Sequence, residues 1–182
     1  MVIPKSPRSL QRREPALSEV EGDLACSKTA AISETAQSKM LKISQSHYDS
    51  LRQHGEETYP HECCGILLGQ MDVDVRVVAS IARCGNTRTD SPQNRYHIDP
   101  KELVHIQRDG RQRGEDIIGF YHSHPDHPAR WSSTDLAEAH WFGCSYVITS
   151  VEKGKAVLTS AFELTGFDEN DKKLVDEKIE VA

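Results

Sequence analysis

The chain has 182 residues, 37% of them hydrophobic, with 22 basic and 28 acidic side chains and a net charge of -6. That is one domain's worth of sequence, long enough to bury a core. An acidic balance without a Lys/Arg stripe argues against a nucleic-acid partner, and no apolar run approaches the roughly 18 residues that a membrane span needs.

Five cysteines, an odd number without a C-x-x-C pair, argue against a disulfide framework or a ribbon-type zinc site and point to a reducing compartment. The first residues carry basic charge with no apolar stretch behind it, so no signal peptide is read and the cytoplasm is the expected location.

Taken along the chain, residues 1–39 are rich in Ser, Ala, Glu and Arg and hold neither a helical nor an alternating period. They read as a disordered leader or a gene-model extension, with Met40 as the native start and residues 40–182 as the folded domain. Ile43, Tyr48 and Leu51 recur at helical intervals, with Ser44 as cap, which predicts a helix over 44–58. Residues 63–70 and 73–82 predict an antiparallel hairpin turning around Met71-Asp72.

The polar stretch 84–95 carries the turn signals Gly85-Asn86 and Ser91-Pro92, so it reads as a loop, either bordering a substrate groove or merely solvated. Asp99-Pro100-Lys101-Glu102 is a clear helix start, running to about Gln112. Residues 116–121 read as a buried strand ending near Ser123, its ladder stopped by Pro125. A helix starts at Ser132 as N-cap; two strands, 146–151 and 156–164, flank a hairpin turn, and the acidic stretch 168–180 predicts a last helix. The order α, β, β, α, β, α, β, β, α is that of an α/β (α+β) fold with a mixed sheet flanked by helices.

Within this frame one constellation carries chemistry: His122 and His124 at a strand end, with Ser132 and Asp135 at a helix start. Residues two apart on a strand share a face, so both imidazoles aim at one point, and a helix beginning nearby returns a carboxylate to them. Two nitrogens and one oxygen form an open tetrahedral site, the catalytic arrangement for zinc. Glu62, at the mouth of another apolar strand, is the best candidate base. His61, His97, His127 and His140 complete no metal spacing, Asp126 sits too close to His124 to share ligation, and Trp131 reads as packing rather than lining a groove. Cys63 and Cys64 invite a thiol-nucleophile reading, but the adjacent Ile66-Leu67-Leu68 favours buried, inert cysteines.

Written out, Glu62 upstream of His122-x-His124-x7-Ser132-x2-Asp135 resembles the signature of the JAMM metalloproteases, the MPN-plus or Mov34/PAD-type family. Residues 59–69 and 96–100 are similar to the phrasing of its small prokaryotic stand-alone members, and the resemblance spans about residues 40 to 165. It implies a cytidine-deaminase-like MPN fold, although the deaminases' own His-x-Glu and Pro-Cys-x-x-Cys motifs are absent here. It also implies one Zn2+ per chain held by His122, His124 and Asp135, acid/base duty for Glu62 and oxyanion support from Ser132, with no role for Ser133. The implied partner is a ubiquitin-like sulfur-carrier protein with a Gly-Gly tail, cleaved at the amide or isopeptide bond after that tail, in some members with release of cysteine; a homodimer is left open. Rival readings are a non-catalytic MPN-type module that binds a ubiquitin-like protein, and the DNA-repair relative, whose motif is His-Asn-His-Pro where this chain has Ser123.

Overall fold

A computed structural model describes residues 39–182. The expectations for the leader lie outside the described residues, apart from Lys39. Ten elements follow in order: β1 (Met40–Ile43), α1 (Gln45–Thr58), β2 (Cys64–Asp72), β3 (Val75–Cys84), α2 (Pro100–Gln112), β4 (Asp116–Pro125), α3 (Ser133–Glu138), β5 (Ser145–Glu152), β6 (Lys155–Thr165) and β7 (Lys173–Val181).

Both long helices start where their caps place them. The Ser44 hydroxyl accepts from His47 N and the Asp99 carboxylate from Lys101 N, each satisfying an amide that the first turn leaves without a partner. The hairpin of β2 and β3 is antiparallel as expected, though its turn falls two residues later, at Val73-Asp74.

The seven strands close into a barrel in the order β1-β3-β2-β4-β5-β6-β7, with β1 parallel to both β3 and β7 and β4 parallel to β5. The expected mixed sheet flanked by helices is therefore present, and its closure is an addition. Two expectations are corrected. The acidic tail is not a helix: 173–181 is strand β7, because its apolar residues find β6 on one side and β1 on the other. Nor does the β4 ladder stop before Pro125, which still stands opposite Val151 of β5.

The sheet has an apolar cluster on each face. Cys64, Ile66, Phe120, Ile148 and Leu164 pack under Leu103 and Ile106 of α2 and Leu136 of α3. On the other face Leu41, Leu67, Ile118 and Val147 pack with Tyr48 and Leu51 of α1. Each such fully buried side chain contributes on the order of 1.5–3 kcal/mol. Helix α1 runs close against β4 and β5: a Cβ on Gly55 would lie 3.0 Å from Val151 Cγ2 and 3.1 Å from Ser123 Cβ, so a residue without a side chain sets that approach. Among the described residues, no helix is long and apolar enough to cross a membrane.

Candidate metal centre

Strand β4 alternates its side chains between the two clusters. Tyr121 and Ser123 face α1, where Tyr121 Oη meets His54 Nδ1 at 3.0 Å and Ser123 Oγ accepts from Cys63 N. His122 and His124 face the other way, both buried. Their Nε2 atoms lie 3.0 Å apart.

The third group arrives from α3. Ser132 Oγ accepts from Asp135 N at 3.1 Å while Asp135 Oδ2 accepts from Ser132 N at 2.6 Å, a complete capping box. Held this way, Asp135 Oδ1 is 3.2 Å from His122 Nε2 and Oδ2 is 3.5 Å from His124 Nε2. The ligand atoms of the three residues lie within 4.8 Å of one another.

These distances suit a metal. Two ligands on a tetrahedral zinc with bonds of about 2.0–2.1 Å stand about 3.3 Å apart, close to the three separations here. The tautomer suits it too. His124 Nδ1 lies 3.0 Å from Pro128 O, and a carbonyl only accepts, so Nδ1 carries a proton, and with an ion bound Nε2 of the neutral ring would offer its lone pair inward. His122 Nδ1 is buried without a partner.

Electrostatics follow from burial and from Asp135. Burial alone would raise the Asp135 carboxyl, but hydrogen bonds from His122 and His124, with the charge of His122, hold it far below the usual range. Burial lowers His122 against the pull of Asp135. On His124 burial also opposes charge, but the hydrogen bond and charge of Asp135 outweigh it and raise its pKa.

Glu62 reaches the same place by register. Strands β2 and β4 pair with Cys64 opposite His122, and Ser123 N donates to Cys63 O, so continuing the antiparallel count sets Glu62 level with His124. The two share the wall of a cavity of about 360 Å3, together with Asn94, His127, Pro128, Arg130, Ser132 and Thr134. Only 4% of Glu62 is exposed. Burial pushes its carboxyl up to about 8, with His124 working against the shift and Asp135 adding to it.

All five expected site residues are thus at or beside one cavity. The cysteines are not part of it as nucleophiles: Cys63 is buried and its thiol pushed up to about 12, and burial likewise raises Cys64. Asp126 is engaged elsewhere, accepting from Tyr59 Oη and Lys153 N. Trp131 is 38% exposed. Two features were missed in the sequence. Tyr96 stacks on His122 with centroids 4.8 Å apart, and the 84–95 segment bonds the Glu62 backbone through Pro92 O and Asn86 Nδ2. The only local hint of the second was Asn86 inside a Gly-Asn turn signal.

Comparison with known proteins agrees with this geometry. Residues 44–164 match the family described as prokaryotic homologs of the JAB domain. A protein of Haloferax volcanii named desampylase is 36% identical over 117 residues, 62% of this chain and 82% of the relative. A Thermus thermophilus protein named a probable TtuB-protein conjugate cleaving protease is 29% identical over 119 residues, 65% of this chain and 76% of the relative. The solution structure of a Desulfitobacterium hafniense protein superposes with a TM-score of 0.67 at 30% identity, covering 79% of this chain and 93% of that one. One from Salinibacter ruber gives 0.57 at 36% identity, covering 78% and 91%. A family match spanning about two thirds of the length, on a chain whose two histidines and aspartate converge at one point, decides the assignment: the protein belongs to the JAMM/MPN-type family, among its prokaryotic JAB-domain members.

Proposed function

We propose that this protein is a zinc-dependent peptidase that cleaves the amide or isopeptide bond following the C-terminal Gly-Gly of a ubiquitin-like sulfur-carrier protein. The observation that carries the reading is the convergence of His122, His124 and Asp135 beside a buried Glu62. Support for the substrate comes from the names of the two relatives, one a desampylase and the other a conjugate-cleaving protease. In this reading residues 40–182 are the catalytic domain.

His122, His124 and Asp135 would hold the ion. Zinc with three such ligands polarises a carbonyl and brings the pKa of a bound water to roughly 7. The remaining work belongs to the chain. Glu62 accepts a proton from the attacking water and returns it to the leaving amine, and burial, by raising its carboxyl above the usual carboxylate range, favours its holding the proton between the two transfers. Ser132 Oγ accepts from Asp135 N, which leaves its own hydroxyl proton to donate to the developing oxyanion. Burial of Glu62 and both imidazoles keeps competing water away and strengthens each interaction.

The test is mass spectrometry of zinc-loaded protein against a panel of carrier fusions, with Glu62→Gln in parallel. The variant should keep one zinc per chain and lose turnover. Carrier binding without zinc or cleavage would make the protein a non-catalytic module, and the mass of the released fragment separates cysteine release from precursor processing and lysine isopeptide cleavage.

A further inference from the structure

Glu62 lies two residues ahead of β2, so its backbone is not fixed by the β2 ladder. Its fixing comes from the 84–95 segment. Glu62 N donates to Pro92 O at 2.7 Å, and Glu62 O accepts from Asn86 Nδ2 at 3.2 Å. Asn86 Nδ2 also donates to Arg95 O at 3.1 Å, while Asn86 Oδ1 accepts from Arg88 N at 3.0 Å and His97 N at 3.2 Å. A primary amide has two protons to donate and two lone pairs to accept with, and all four are used.

The same segment is tied to the helix that carries Asp135. Arg95 donates to Glu138 at the end of α3, and Arg88 Nη2 lies 3.7 Å from the same carboxylate oxygen. One stretch of chain therefore holds both the Glu62 backbone, through Asn86 and Pro92, and α3, through Arg88 and Arg95. Three of the four Asn86 bonds stay within residues 86–97; the fourth, to Glu62, reaches out of the loop and closes nothing inside it.

We infer that Asn86 is the positioning residue of Glu62, its carboxamide holding the Glu62 peptide so that the carboxyl group faces His124 across the cavity. This rests on the proposed role of Glu62 as base. A base displaced by about 1 Å can cost a hundredfold in rate without loss of substrate binding. The 84–95 segment is then a strap for the catalytic group rather than a solvated connection.

Asn86→Asp is the test, because aspartate still accepts from Arg88 N and His97 N but has no proton for Glu62 O or for Arg95 O. The full-length, zinc-loaded protein is assayed on a Gly-Gly-terminated ubiquitin-like carrier joined by an amide to a fluorescent amine. Zinc content is read alongside. We expect kcat to fall about 10- to 100-fold with KM and zinc within about twofold. Should Asn86→Asp not fold, Asn86→Ser, shorter and uncharged, carries the same comparison.

An unchanged kcat overturns the inference, as does a loss of kcat matched by a loss of zinc. Glu62→Gln separates the two levels. If it is inactive while Asn86→Asp turns over normally, the Asn86 inference alone falls; if Glu62→Gln itself turns over, the base assignment falls and takes this one with it.

Discussion

Ser132 carries two duties that can be pulled apart by substitution. Its hydroxyl oxygen caps α3 by accepting from Asp135 N, and in the proposed mechanism its proton goes to the oxyanion. Alanine at an N-cap costs about 1 kcal/mol, whereas glycine costs only a few tenths. Ser132→Gly should therefore leave the thermal midpoint close to wild type and, lacking the donor, reduce kcat by about 100- to 1000-fold. Differential scanning calorimetry with steady-state kinetics on a carrier fusion reads both. A near-normal kcat would leave Ser132 with the cap alone. Asp135 needs the cap in place, since its Oδ2 is shared between Ser132 N and the approach to His124. The sequence reveals this pair because a capping box is local, four residues wide, and His122 and His124 are just as local, one strand face wide.

The elements differ in how much of them a single sequence discloses. Helices α1 and α2 are legible from Ser44 and Asp99, whose caps act within three residues. Strand β7 is not: Asp176, Glu177, Lys178 and Glu180 look like the charged face of a helix until β6 and β1 supply the ladders for Leu174 and Ile179. Glu62 is a similar case, since its place depends on the pairing of Cys64 with His122, 58 positions on. Helix α1 also carries a pH dependence of its own. His54 is buried beside Tyr121, and burial, then the charge of Arg83, lowers its pKa from 6.5 to about 4, with Glu57 opposing. Between those two values the unfolded chain binds a proton that the folded one does not, so stability should decline as pH falls from 6.5 towards 4. Thermal melts across that window should show it, and His54→Gln, which does not titrate, should give a flatter slope. Parallel slopes for the two proteins would remove His54 as the cause.

At the scale of the molecule, the barrel depends on its shortest strand. β1 has four residues, and through them β3 is joined to β7. Beside this seam lies Arg76 of β3, only 2% exposed. Its Nη1 donates to Glu177 of β7 at 2.6 Å, its Nη2 to Glu163 of β6 at 2.7 Å, and its Nε to Gly143 O at 2.9 Å, while Lys39 also bonds Glu163. The guanidinium thus bridges strands that share no ladder with β3, a contact no local pattern could disclose. Removing one member of a buried ionic group costs more than the group contributes, because the remaining charges lose their partner in a medium that solvates them poorly. Arg76→Met should destabilise the fold by about 3–5 kcal/mol in urea titration. Adding Glu163→Gln and Glu177→Leu to that variant removes the stranded carboxylates and should restore most of the loss, since apolar replacements of buried ion groups are often neutral or better. The pair of measurements distinguishes a clasp from a passenger. A loss below about 1 kcal/mol in Arg76→Met would mean that the β1 ladders alone keep the barrel closed, and a triple variant as unstable as the single one would mean that Arg76 acts by filling space.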